Sequence, residues 1–275
     1  MTDAKHQLLD ELIASGIERR EARWIIEEFA LDDSPASIDN ARRAGERRAQ
    51  GEPLQYVLGH WPFRDLDLDV DPRALIPRPE TEELVGLALE QLAFRASSAP
   101  LLLDLGCGTG AIGLSLLFEL RERGLPATLV CVEASSDALD LARANARKHE
   151  LTAVSFVQSN WFDDLDATFR GAFDLIAANP PYVSEAEMAT LDPVLGYEPR
   201  TALVARDAAG VGGYADIEHI IRVAPSWLAP SGVLVLEHGE RQRGAVKATC
   251  EEAGFSTFNL FDDVSGRPRM LMARR

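Results

Sequence analysis

Several short segments of this 275-residue chain carry side chains suited to holding and aligning a small molecule. The first is Asp104-Leu105-Gly106-Cys107-Gly108-Thr109-Gly110, where alternating glycines follow an apolar run. Glycine removes the side chain and admits positive φ, so a ligand can approach the backbone closely as the next helix begins. Such a loop fits a nucleotide-like cofactor or a tight structural turn. Gly108, Gly110 and Gly113 also satisfy G-x-G-x-x-G, the dinucleotide fingerprint, but that reading starts late, because the first turn after the strand is already Gly106. The second segment is ATLVCVE, ending in Glu133. A carboxylate there could accept hydrogen bonds from both hydroxyls of a ribose, at roughly 1.5–3 kcal/mol each. The alternative is an exposed strand-end acid.

The third segment is Ser159-Asn160-Trp161-Phe162. An Asn beside an aromatic suits an adenine, with the amide bonding the exocyclic amine and the ring covering the base; otherwise Trp161 and Phe162 simply pack as core. The fourth is the most specific: FDLIAAN runs straight into Asn179-Pro180-Pro181-Tyr182. Two prolines fix φ and remove two backbone donors, leaving carbonyls free to accept from a ligand. Asn179 adds an amide oxygen and Tyr182 an aromatic face, so the segment reads as a clamp for a planar –NH2 group, whose two hydrogens need two acceptors.

These segments need a scaffold that brings them together. From Leu101 onward the runs LLLDLG, ATLVCVE, VSFVQS, FDLIAAN and GVLVLEHG alternate with helical stretches at 110–123, 136–149 and 213–228. That alternation predicts an α/β fold with a parallel sheet covered by helices on both faces. In such sheets ligands bind beyond the carboxyl ends of the strands, where all four segments fall. Strands over 255–260 and 268–274, joined by Asp262-Asp263-Val264-Ser265-Gly266, fit an antiparallel hairpin at one edge. Upstream, residues 1–53 read as a bundle of three short helices, with Leu8, Leu9, Leu12 and Ile13 on one apolar stripe and Trp24, Ile25 and Phe29 on the next. Residues 54–79 read as a β-hairpin turning at Gly59-His60-Trp61-Pro62, followed by a proline-punctuated linker, and Glu80 to Phe94 as a helix opening the domain 80–275.

Composition narrows the chemistry. The net charge is −16, with 10 Lys/Arg against 16 Asp/Glu through Arg73 and 18 against 28 beyond it. Neither part has the basic footprint of a nucleic-acid binder, so a protein or small-molecule substrate is favoured. Cys107, Cys131 and Cys250 have no paired spacing, which suggests reduced thiols and neither a disulfide framework nor a metal site. MTDAKHQLLDEL lacks the apolar core of a secretion signal, and no stretch approaches 18 uninterrupted apolar residues. A cytoplasmic protein, acting as a monomer without membrane or direct nucleic-acid contact, is expected.

The D-x-G-x-G-x-G loop, the acid ending the second strand and N-P-P-Y after the fourth resemble the amino methyltransferases with a seven-stranded, Rossmann-like sheet. Pro53-Leu54-Gln55-Tyr56, Gly59-His60, Leu75-Ile76-Pro77-Arg78-Pro79-Glu80-Thr81-Glu82 and Tyr197-Glu198-Pro199-Arg200 are similar to one branch, the peptide chain release factor glutamine methyltransferases of the HemK/PrmC type. The resemblance runs over nearly the whole chain. It implies S-adenosyl-L-methionine as cofactor, with S-adenosyl-L-homocysteine as product, held by Asp104, Gly106 to Gly110, Glu133, Asn160, Trp161 and Asn179. It implies a glutamine amide held by Asn179, Pro180, Pro181 and Tyr182, with Asn179 and the Pro180 carbonyl aligning it, and release factors, at their GGQ motif, as substrate. The helical N-terminus is then a docking element. Asn160 departs from the acid expected at that position, and Arg267-Pro268-Arg269-Met270 departs from the usual family wording.

An amide nitrogen is a poor nucleophile, so alignment is what such an enzyme must supply, and positioning can lower a barrier by roughly 7–11 kcal/mol. No histidine falls in a recognisable acid–base motif, and the surplus proton is expected to leave to water. The competing readings are a ribosomal-protein glutamine methyltransferase, an adenine-amine methyltransferase of nucleic acid, a nicotinamide dehydrogenase with no use for N-P-P-Y, and a catalytically silent binding module.

Overall fold

The computed structural model describes residues 1–93 and 99–275. Helices α1 (Asp3–Ala14), α2 (Arg19–Phe29) and α3 (Pro35–Ala49) close on a small core of their own, to which Leu8, Leu12, Ile25, Ile26 and Ala41 contribute. Ser34 caps α3 by accepting from the Ser37 amide, with Pro35 in the first turn, as helix starts prefer. Trp24 stays partly exposed and meets Trp61 edge-on at 6.1 Å.

A five-residue helix, α4 (Leu54–Leu58), follows and ends on Gly59 in the left-handed region. The hairpin comes after it: β1 (His60–Phe63) pairs antiparallel with β2 (Leu66–Asp69). The turn therefore lies at Arg64-Asp65, with Arg64 at φ 50, and not at Gly59–Pro62 as the sequence suggested. Gly59 terminates a helix, and Pro62 fits within a two-stranded edge because its missing N–H costs no ladder bond on the outer side. Phe63, Leu66 and Leu68 pack into the core of the large sheet.

Helix α5 (Pro79–Ala93) leads to the described start of the sheet at Leu101; Phe94, the expected helix end, lies outside the described residues. Then come β3 (Leu101–Leu105), α6 (Ala111–Glu122), β4 (Thr128–Glu133), α7 (Ser136–Lys148), β5 (Val154–Gln158) and β6 (Phe173–Ala178). The short helices α8 (Glu185–Met188) and α9 (Arg200–Leu203) precede α10 (Ala215–Val223), β7 (Leu228–Glu237), α11 (Arg243–Ala253), β8 (Thr257–Asp262) and β9 (Pro268–Arg274). The sheet order is β5-β4-β3-β6-β7-β9-β8, parallel except at β9, which runs antiparallel to both neighbours and completes the edge hairpin.

Alternation along the strands feeds both faces. Leu102, Leu175 and Val233 join α5 and α6 on one side, while Leu103, Ile176 and Leu234 join α10 and α11 on the other. This is the expected seven-stranded α/β sandwich. Strand order reverses between β3 and β6, which opens a crevice at their carboxyl ends.

Candidate active site

A cavity of about 530 Å³ occupies that crevice. Gly106, Cys107, Gly108 and Thr109 line it after β3, Glu133 after β4, Asn160 and Trp161 after β5, and Asn179 and Pro181 after β6. Asp104, Gly110, Pro180 and Tyr182 are not among its lining residues. Among the described residues no group of acidic, His or Cys side chains is arranged to hold a metal.

Four amides of the glycine loop bond within the protein, while those of Thr109, Ala111 and Ile112 meet no acceptor among the described residues. Gly106 and Cys107 donate to the Val132 carbonyl at 2.8 and 2.9 Å, Gly110 donates to the Cys107 carbonyl at 2.7 Å, and Gly108 donates to Glu133 Oε2 at 3.0 Å. A phosphate bound here would need such donors free. Gly106, Gly108 and Gly110 all have positive φ. Gly113 is different: it lies within α6, and a Cβ there would sit 2.9 Å from Asp104 Cβ. The glycine that completed the dinucleotide pattern thus serves helix-to-strand packing. Asp104 Oδ2 accepts from the Gly113 amide at 2.8 Å, and burial pushes this carboxyl up to about 7, against the pull of that bond. Asp104 supports the loop from beneath.

Glu133 Oε1 accepts from the Ser135 amide at 3.0 Å, so both carboxylate oxygens are oriented by backbone donors while each keeps a second lone pair. Trp161, at φ 50, lies over Gly106, where a Cβ would come within 3.1 Å of the indole. Its Nε1 donates to Asp216 Oδ1 at 3.0 Å, and Asp216 also lines the cavity. Phe162 turns the other way and stacks on Trp227 at 5.7 Å, so the two aromatics divide between cavity and core. Asn160 Nδ2 donates to Asp163 Oδ2 at 3.0 Å. Because a carboxylate only accepts, the amide oxygen of Asn160 is the end left for another donor.

Asn179 Nδ2 donates to Thr81 Oγ1 at 3.0 Å, and Thr81 Oγ1 donates to Glu237 Oε2 at 2.8 Å. Tyr182, not among the lining residues, is held from behind. Its hydroxyl donates to Glu237 Oε1 at 3.2 Å and Arg269 lies 5.5 Å over its ring, which holds it behind the strand ends. Pro180 is buried, and among the described residues no donor reaches its carbonyl.

The far wall comes from two segments tied together. Glu198, only 6% exposed, accepts from the Ile76 amide at 3.0 Å and pairs with Arg78. Tyr197 donates to the Gln50 carbonyl at 3.0 Å, linking this wall to the helical bundle. Arg73 and Arg78 border the cavity but pair with Asp71 and Glu198. Glu133 and Asp216, by contrast, contact only N–H donors, so the lining carries uncompensated negative charge suited to a cationic ligand.

Sequence reasoning missed Thr81, Asp216 and Glu237 as site-supporting residues. Glu237 carried a usable signal, being a strand-end acid like Glu133. Asp216, in the first turn of an ordinary amphipathic helix, carried none.

A methyltransferase domain model matches residues 97–264. The release factor glutamine methyltransferase of Pasteurella multocida is 41% identical over 235 residues, covering 82% of this chain and 76% of its own length. The protein of that name from Salmonella typhimurium is 35% identical over 281 residues, covering 98% of this chain and 96% of its own. Among solved structures, a 16S rRNA methyltransferase from T. thermophilus in complex with AdoMet and guanosine aligns with a TM-score of 0.56 at 19% identity, covering 78% of this chain and 49% of that one, a likeness of fold alone. Identity of this extent along the chain, with Gly106 to Thr109, Glu133, Asn179 and Pro181 gathered around one cavity, means that the protein belongs to the release factor glutamine methyltransferase family.

Proposed function

We propose that the chain transfers a methyl group from S-adenosyl-L-methionine to the side-chain amide nitrogen of a glutamine in a peptide chain release factor, at its GGQ motif. The observation that carries this reading is the orientation of Asn179. With Nδ2 given to Thr81, its Oδ1 is the end available to accept, beside a Pro180 carbonyl that no described donor occupies. Two acceptors fit the two hydrogens of an –NH2 group.

The cavity residues fit the cofactor by their chemistry. Glu133 has spare lone pairs for ribose hydroxyls, Asn160 and Trp161 offer an amide oxygen and a flat ring for adenine, and the unneutralised carboxylates favour a cation. The bound cofactor supplies an electrophilic methyl on a sulfonium. The chain's own task is alignment: Asn179 and Pro180 fix the direction of the amide nitrogen and favour the positive charge that develops on it. No histidine lines the cavity, and the proton released from nitrogen passes to water. The bundle of residues 1–53 supplies contacts to the protein substrate, reaching the cavity wall through Gln50 and Tyr197. Acting on release factors places the enzyme with the translation machinery of the cytoplasm.

The test is transfer of labelled methyl from S-adenosylmethionine to purified release factor, with wild type and Asn179→Ala. Losing one aimed acceptor is expected to slow turnover by roughly 10²–10³ with little change in cofactor affinity. A release factor carrying glutamate in place of the glutamine is expected to gain no label. Near-wild-type turnover by Asn179→Ala would remove the segment from the active site.

A further inference from the structure

Behind the clamp lies a polar chain that enters the cavity wall only at Thr81. Glu237 ends β7 and is 1% exposed. Thr81, from the first turn of α5, is also buried and stands between Glu237 and Asn179. We propose that Glu237, acting through the Thr81 hydroxyl, sets which end of the Asn179 amide faces the cavity, and so makes the site select an –NH2 group over a carboxylate. The proposal rests on the glutamine reading above.

The argument is a count of hydrogens. A carboxylate can only accept, and both oxygens of Glu237 do so, Oε2 from Thr81 and Oε1 from Tyr182. A threonine hydroxyl has one hydrogen. With that hydrogen given to Glu237, Thr81 Oγ1 can only accept from its other neighbour. Asn179 must therefore present Nδ2 to it, as found, and direct Oδ1 elsewhere. The reverse amide orientation would set Oδ1 against Oγ1 with no hydrogen between them. A bond of this kind shifts such an equilibrium by roughly tenfold, and more where the chain begins at an ionised group that polarises each link. Burial, with a smaller push from Glu80, raises the Glu237 carboxyl on balance, while the Thr81 hydroxyl, the Arg269 guanidinium and the Tyr182 hydroxyl pull against it and favour the ionised form.

The consequence is selectivity. With Oδ1 outward, the clamp presents acceptors only, which bind –NH2 and repel the all-acceptor end of a glutamate. With Nδ2 outward, it would hold a glutamine by its carbonyl oxygen, leaving the nitrogen misaligned, and would accept a glutamate. Thr81 and Glu237 are thus positioning residues. Loss of the relay lowers kcat and weakens discrimination without disturbing the cofactor.

The experiment compares Thr81→Val, Thr81→Ser and Glu237→Gln in the full chain. It reads kcat and KM for the release factor, the inhibition constant of its glutamine-to-glutamate form, and S-adenosylmethionine affinity by calorimetry. Thr81→Val and Glu237→Gln are each expected to lower kcat at least tenfold, to tighten inhibition by the glutamate form by roughly tenfold, and to leave cofactor affinity within about twofold. Thr81→Ser keeps the hydroxyl and is expected to restore turnover to within a few-fold of wild type. A purely structural role would weaken both forms of the substrate alike and would not be repaired by serine. Should Glu237→Gln fail to fold, the near-isosteric Thr81→Val decides the matter alone. Unchanged kcat and unchanged glutamate inhibition in Thr81→Val overturn the relay. Asn179→Ala, measured alongside, separates the two ideas: if it is inactive while Thr81→Val is normal, the clamp stands and the relay falls, whereas an active Asn179→Ala removes the glutamine reading itself.

Discussion

Replacing Glu133 with glutamine changes neither the size nor the reach of the side chain, yet the hydrogen-bond inventory around it leaves no comfortable place for an –NH2. In the native protein Oε2 accepts from the Gly108 amide and Oε1 from the Ser135 amide, each at 3.0 Å. The second lone pair of each oxygen is what two ribose hydroxyls would use. Glutamine has one oxygen. Its –NH2 must confront one of the two backbone N–H groups, so either that contact is lost or the side chain swings away from the ribose. Losing one charge-assisted bond is worth roughly 1.5–3 kcal/mol, and at 1.4 kcal/mol per decade the expected weakening of S-adenosylmethionine and S-adenosylhomocysteine binding is roughly 10- to 150-fold. Titration calorimetry on the folded variant measures it directly. Thermal melting of the ligand-free variant provides the control, because a loosened Gly108 also lowers intrinsic stability. A dissociation constant within twofold of wild type for both ligands would refute the ribose assignment.

Three further outcomes follow from local geometry. Glu198→Ala strips the Ile76 amide and Arg78 of their shared acceptor; a cost of about 1–3 kcal/mol lowers the melting temperature by roughly 2–10 °C, and a shift under 1 °C would show that the two wall segments are held by other means. His60 has a raised pKa because Nδ1 meets Asp67 at 2.6 Å, aided by Glu28 at 3.2 Å from Nε2, against a burial penalty. Its contribution is then fully present below the ordinary value of 6.5 and is lost as pH rises through the raised folded value. Melting temperature against pH for wild type and His60→Gln should therefore converge on the alkaline side, and parallel curves would contradict the pairing. Gly106→Ala combines φ 69 with a Cβ 3.1 Å from Trp161 Cζ3; strain of about 1–2 kcal/mol should appear as a lower melting temperature and a shifted indole fluorescence, and native fluorescence would mean that the ring is not seated on the loop.

The sheet and its ligand end were legible in the sequence because both follow from local patterns. Apolar runs bounded by helical stretches dictate a parallel sheet, and residues that follow strands must gather at one end of it. That logic gathers Gly106, Glu133, Trp161 and Asn179 at one end, where they line a single cavity. The hairpin turn was misplaced because Gly59 carries two readings, a turn or a helix end, and the five-residue α4 is too short to show a period. What the sequence left unread is mostly direction. Tyr182 stands three residues from Asn179 in the chain, yet its hydroxyl is drawn to Glu237, a partner 55 residues away, and it is not among the cavity lining. Glu237 and Thr81 lie 156 residues apart, and no local pattern joins them. Long-range hydrogen bonds decide where a side chain points, and single-sequence periodicity is blind to them.

The charge of the lining also bears on two cofactor chemistries that share a loop. A pyrophosphate and a sulfonium nucleoside can both sit beside a glycine turn at a helix start, and both use a strand-end acid for ribose. They differ in charge, and so in what the loop must leave available. A phosphate requires free N–H groups aimed outward. Here the amides of Gly106, Cys107, Gly108 and Gly110 close on protein acceptors, one of them Glu133, whereas those of Thr109, Ala111 and Ile112 meet none among the described residues. The acid Asp216 faces the cavity with an indole N–H as its partner, and the arginines at the rim are already paired. A dianionic group would meet the carboxylates of Glu133 and Asp216, whereas a cation would meet a field of the opposite sign. The glycine pattern permits a nucleotide, and the sign of the charge lining this cavity favours the cationic kind over a phosphate.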